Sequence, residues 1–114
     1  MLGLFNIDFF EITYAETSYL GFKLSDYVEI GKIVQSIELE TYPFTSWSYG
    51  DYEIGVFQNL TDFNTGDMAN AQYTANSIEL VQNITVNANH YILIKLHTTD
   101  TTNYIRKINI TLKD

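Results

Sequence analysis

The chain has 114 residues, 46% hydrophobic and 15% aromatic, with one proline and no cysteine. That size and composition suit one globular domain with its own core and argue against disorder, while the missing cysteines exclude disulfides, thiolate metal sites and cysteine nucleophiles. The net charge is −8, with nine acids and two bases in residues 1–57 (−7) against five and four in residues 58–114 (−1), so phosphate backbones and anionic membranes are poor partners.

Residues 4–14 (L-F-N-I-D-F-F-E-I-T-Y) alternate with a phase slip at Phe9-Phe10. Phe5, Ile7 and Phe9 share a face before the slip; Phe10, Ile12 and Tyr14 share one after it. A β-bulge or a strand changing sheets gives that pattern. A helix carrying Leu2, Phe5, Phe9 and Ile12 is the competing reading, and the β-branched and aromatic content speaks against it. The N-terminal stretch lacks a basic region and is interrupted by Asn6, Asp8 and Glu11, so it reads as neither a signal peptide nor a membrane span. The expectation is a protein made in the cytosol that stays soluble or leaves as part of an assembly.

Residues 18–24 put Leu20, Phe22 and Leu24 on one face, and Ser25-Asp26 breaks the run. Residues 32–41 read as a one-sided strand. Ile33, Gln35, Ile37 and Leu39 point one way; Lys32, Val34, Ser36, Glu38 and Glu40 point the other. Residues 42–52 are the aromatic centre, with Tyr42, Phe44, Trp47, Tyr49 and Tyr52. Residues 52–58 resume strand character, weakened at Gly55. Residues 59–76, rich in Asn, Thr, Asp and Gly, are the longest irregular stretch. A loop of that length is functional or conceals an element that periodicity does not show. Residues 77–86 return to the β pattern.

Residues 83–112 are the most legible part. They read as a lead-in run (I-T-V), a corner (N-A-N), and a hairpin of H-Y-I-L-I-K-L-H and Y-I-R-K-I-N-I-T-L around T-T-D-T-T-N. About seven to nine short strands, turn signals roughly every ten residues and no convincing helix predict an all-β sandwich or barrel. One such domain spans 1–114, with no internal repeat or linker.

At Asn87 the chain reads N-A-N-H-Y-I-L, with Asn87, Asn89, Tyr91 and Leu93 at alternate positions. This resembles the Asp, Gly, Tyr and Cys that enter strand F of immunoglobulin domains. Trp47, fourteen residues after Ile33 and forty-six before Leu93, is similar in spacing to their core tryptophan between two inter-sheet positions. The resemblance implies an antiparallel, immunoglobulin-like β-sandwich of the cysteine-free kind found in bacterial and phage surface modules, with Tyr91 as the corner tyrosine bonding back to the turn. It points Tyr91 and Leu93 inward, yet Ile92, Ile94 and Leu96 form the purer apolar face. Leaving those three in water forfeits about 1.5–3 kcal/mol each. The strand is therefore expected to be covered on both sides, by the N-terminal segment or by another protein chain.

Little in the chain carries chemistry. His90 and His97, seven residues apart on one strand, face opposite sides and cannot converge on a nucleophile or a metal. Glu38 and Glu40 share a face about 7 Å apart, within the range of glycosidase carboxylates, but neighbouring acids on a wet strand are ordinary. Asp62, Asn64 and Asp67 offer oxygen ligands of a kind that suits calcium. The EF-hand pattern fails at Gly66 and Tyr73, and the Asx-turn reading competes. Phosphate loops and G-x-S-x-G are missing. Asn59, Asn83 and Asn109 open glycosylation sequons, which read as strand and turn residues.

No cofactor is implied and no enzyme is expected. Two functions remain. One is a structural protein of a large assembly, a phage virion component such as a capsid decoration, head-fibre or tail protein. Its partners would be capsid or tail proteins or further copies of itself, and its location the virion, or else the cytoplasm or a surface. The other is a carbohydrate-binding module stacking sugars on Trp47, Tyr49 and Tyr52; the alternative for Trp47 is the core of the sandwich.

Overall fold

The computed structural model describes residues 3–14, 17–42, 50–98 and 102–113. Within them lie eight strands: β1 (Gly3–Tyr14), β2 (Thr17–Lys23), β3 (Ile33–Tyr42), β4 (Gly50–Phe57), β5 (Tyr73–Ala75), β6 (Glu79–Thr85), β7 (Tyr91–Thr98) and β8 (Thr102–Lys113). A short helix, α1 (Leu60–Asn64), and two 3-10 turns (Leu24–Asp26 and Met68–Asn70) occupy the connections. No helix among the described residues is long and apolar enough to cross a membrane.

The strands form two four-stranded antiparallel sheets, ordered β1-β8-β3-β6 and β2-β7-β4-β5. The predicted all-β antiparallel sandwich and its strand number are as found. Its order is that of a jelly roll, in which eight strands interleave as Greek keys between two sheets. An immunoglobulin sandwich instead keeps its first two strands side by side, whereas β1 and β2 here lie in opposite sheets. The C-terminal hairpin is corrected for the same reason. β7 pairs with β2 and β4, and β8 with β1 and β3, so the two never bond to each other.

The phase slip at Phe9-Phe10 is a bulge. Asp8 pairs with Lys107 and Glu11 with Ile105, leaving two residues of β1 opposite the single Arg106 of β8. A second irregularity sits at Gln35. Val34 pairs with Leu112 and Ser36 with Thr111, so Gln35 has no partner on β8. The extra residue reverses the face of what precedes it. Val34, expected on the wet side, is therefore fully buried with Ile37 and Leu39.

The core lies between the sheets. β8 supplies Ile105, Ile108, Ile110 and Leu112; β4 supplies Tyr52, Ile54 and Val56; β7 supplies Ile92, Ile94 and Leu96. Leu24 and Val28 close one end from the β2–β3 connection, and Leu20 and Phe22 pack against the margin. Leu20, Phe22 and Leu24 thus share the inward face that their alternation predicts.

Candidate functional site

The outer face of the β2-β7-β4-β5 sheet departs from an ordinary wet surface. Register sets three rows across it: Tyr19–Lys95–Glu53, Gly21–Leu93–Gly55–Thr74 and Lys23–Tyr91–Phe57. Ile92, Ile94 and Leu96 point into the sandwich, so Leu93 must point out, and yet it is only 5% exposed. The second cover anticipated for this strand exists. It is neither the N-terminal segment nor another chain, but residues 59–70.

Two side chains of that segment fit over two glycines. A Cβ on Gly21 would run into the Phe63 ring, and one on Gly55 would lie 2.5 Å from Met68 Sδ. Leu93 sits between the two glycines in the same row. Phe63 packs edge-on against Phe57, at 5.9 Å between centroids and 82°, and tilted against Tyr91 at 5.0 Å and 31°. Phe57 is fully buried as a result. Tyr91 is therefore a wall of this outer cluster rather than a corner tyrosine.

Local polar chemistry shapes the cover. Asn59 caps α1: its Oδ1 accepts from the Asp62 N–H at 2.8 Å, and its Nδ2 donates to Asp62 Oδ2 at 3.1 Å. Asp67 caps the second 3-10 turn through Oδ1, which accepts from the Ala69 N–H at 2.9 Å. Between them Thr65 Oγ1 donates to the Asp62 carbonyl and accepts from Asp67 N–H and Asn70 Nδ2. Gly66 takes a φ of 66°, the left-handed region a helix end favours. Asp62, Asn64 and Asp67 were the weak calcium candidates. Asp67 serves as a cap and the Asp62 carboxylate accepts from the capping Asn59, and no group of three or more His, Cys, Asp or Glu converges among the described residues.

Beyond the cover the face is open. Tyr19, 52% exposed, stands beside a concavity of about 330 Å³ lined by Phe63, Asn64, Thr65, Gly66 and Leu93. Lys95 and Glu53 face each other alongside at 4.0 Å. An exposed ring next to an aromatic-walled hollow can seat one side chain of a partner. The sequence signal was present in Tyr19's alternation away from Leu20 and Phe22, but a single outward tyrosine is unremarkable until its neighbours are known.

Of the aromatic platform expected from Trp47, Tyr49 and Tyr52, only Tyr52 falls among the described residues. Tyr52 points into the core at 6% exposure, so it offers no ring face to a sugar. Burial raises its phenol pKa; the neighbouring Thr41 hydroxyl tempers that shift without reaching good hydrogen-bonding geometry. Trp47 and Tyr49 lie outside the described residues. Glu40 accepts from Asn109 Nδ2 at 2.7 Å, and Glu38 is exposed opposite Glu79, so these acids are surface groups of β3. His90 precedes β7 and is 6% exposed, more deeply placed than an ordinary strand-end histidine. Burial lowers its pKa, and its Nδ1 accepts from the Asn87 N–H at 3.3 Å.

No protein-family model and no curated protein matches the chain. Among solved structures it is similar to the decameric BFDV capsid protein, at 8% identity and a TM-score of 0.38 over 100% of both chains. It is also similar to dimeric latent PorU from Porphyromonas gingivalis, at 10% identity and a TM-score of 0.30 over 93% of this chain and 13% of that one. A carbohydrate-binding module from glycoside hydrolase family 9 (Cel9A) of Ruminococcus flavefaciens FD-1 overlaps at 14% identity and a TM-score of 0.30, covering 90% of this chain and 97% of the other.

Proposed function

We propose that this chain is a non-enzymatic structural protein of a large assembly, a phage virion component of the capsid-decoration, head-fibre or tail kind, that docks through a sheet face. The observation that carries the reading is Tyr19, a large ring half exposed beside an aromatic-walled hollow on a sheet face that its own chain covers only in part. Rings of this type in pockets anchor interfaces. The jelly-roll order supports it by analogy of fold, since viral capsid and lectin domains share that architecture. The partners are capsid or tail proteins or further copies of the chain, and the location is the virion. The sugar platform of Trp47, Tyr49 and Tyr52 loses Tyr52 to the core.

Sedimentation over a range of concentrations, with and without purified particles, tests this. Self-association or particle binding is expected, and Tyr19→Ala is expected to weaken it by about tenfold or more, as loss of an interface anchor does. A monomer independent of concentration that shows no affinity for particles overturns it.

A further inference from the structure

A second cavity, about 350 Å³, lies between the edge strands β5 and β6 and the connections beside them. Its chemistry differs from that of the Tyr19 hollow. Four amide-bearing residues, Gln58, Gln72, Asn83 and Asn87, line it. Tyr73 and Thr85 add hydroxyl-bearing side chains, and the Tyr73 ring adds a flat face. His90 and one aliphatic residue, Ile84, complete the lining.

Two of these groups are already oriented. Asn87 Oδ1 accepts from the Asn89 N–H at 2.8 Å, leaving the Asn87 amide nitrogen for other acceptors. The Asn87 backbone N–H is given to His90 Nδ1, so the ring proton sits on Nε2, a donor. The β6–β7 turn thus fixes two donors with bonds of its own.

The chain carries fourteen acids and six bases, but none of the described residues lining this cavity is charged. A phosphate or carboxylate ligand would lack a cation to meet it. An apolar ligand would find too few apolar walls, since pockets for such ligands are lined mainly by hydrophobic side chains. Primary amides each donate and accept, which matches hydroxyls that do the same. The volume falls at the small end of ligand pockets, which run about 300–1,000 Å³, and suits one terminal residue rather than a long chain.

We propose that this cavity binds a neutral sugar residue through the amides of Gln58, Gln72, Asn83 and Asn87, with His90 Nε2–H as a further donor and the Tyr73 ring as a stacking face. It shares no lining residue with the hollow of the docking face, so either can fail without the other.

The test is a titration of ¹⁵N-labelled protein with glucose, galactose, N-acetylglucosamine and N-acetylgalactosamine, with glucose 6-phosphate and sialic acid as charged comparisons, followed by a glycan array. Saturable shifts of the cavity's side-chain amides with at least one neutral sugar are expected. Gln58 and Gln72 are exposed, so Gln58→Ala/Gln72→Ala is expected to keep the wild-type circular dichroism spectrum while weakening binding by about tenfold or more, the loss of two hydrogen-bonding partners. Tyr19→Ala is expected to leave sugar binding unchanged. Array binding identifies a surface glycan as the source, and binding of free sugar alone identifies a small saccharide. No saturable shift with any neutral sugar, binding of the charged compounds only, or full affinity in the double variant overturns the proposal.

Discussion

Gly21→Ala should destabilise this protein although it adds helpful chain stiffness to a strand. Glycine inside a strand costs roughly 0.5–1 kcal/mol relative to alanine, so on an uncovered sheet the substitution would be a gain. Here the new methyl meets the Phe63 ring, which Phe57 and Tyr91 hold in place. Overpacking of this kind costs about 1–3 kcal/mol. Phe63→Ala alone removes a half-buried ring; a fully buried one costs about 3–5 kcal/mol, so roughly 2 is expected. With both changes the methyl occupies vacated space. The double variant should then be less destabilised than the sum of the singles by about 1–3 kcal/mol, the size of coupling that touching residues show. Urea unfolding of the four proteins measures it. Gly55→Ala is an internal comparison: its methyl meets Met68 Sδ, part of a flexible chain that can move aside, and lies 3.1 Å from the Phe57 ring, so its cost is about 1 kcal/mol, at the low end of overpacking. The reasoning is refuted if Gly21→Ala is neutral or stabilising alone, or if the two costs simply add.

Leu93→Ala should cost about 2–5 kcal/mol in urea unfolding, as for a core leucine, although register places Leu93 on an outer face; a cost below about 0.5 kcal/mol, usual at the surface, would show that the cover is not there. Asn59→Ala removes the α1 cap and should cost about 1 kcal/mol, with faster hydrogen exchange in residues 59–66 before the rest of the sheet. Burial holds His90 below its ordinary value, so the unfolded chain binds that proton more readily and stability falls as pH drops below about 6.5. The fall levels off once the folded imidazole is protonated too. The wild-type advantage over His90→Gln in urea midpoint should therefore shrink between pH 7.5 and about 5; an advantage that grows on acidification would contradict it.

The residues show why some of this was readable and some was not. Which face of a strand is apolar follows from period two, so the inward set on β2 and the purer apolar face of β7 were legible, and so was the bulge at Phe9-Phe10. Which strand is the neighbour leaves no local mark. β7 and β8 look like a hairpin because they are consecutive, and only the crossing of chains between sheets separates them. Val34 was misplaced because one unpaired residue, Gln35, reverses phase without changing composition. Tyr52 was drawn into an aromatic run although it alternates with Ile54 and Val56, the two residues it accompanies into the core. The cover of residues 59–70 was hardest to read, since its packing rests on Phe63 and Met68 within a polar stretch. Its caps at Asn59 and Asp67 were written in the sequence, but glycines at 21 and 55 gain meaning only when folding sets those rings and thioethers above them.

That cover changes where function has to be sought. The apolar surplus of β7 suggested an external partner, and Phe63 and Met68 satisfy most of it from within. Both candidate sites border the same segment. Phe63, Asn64, Thr65 and Gly66 wall the hollow beside Tyr19, while Gln58 and Gln72, just outside its two ends, line the polar cavity. A five-residue helix has little stability of its own, so its caps and the two glycine seats hold both sites in shape. Substitutions within 59–70 should therefore disturb docking and sugar binding together. Tyr19 and the Gln58–Gln72 pair lie outside the packed cover, and changes there should separate the two proposed activities.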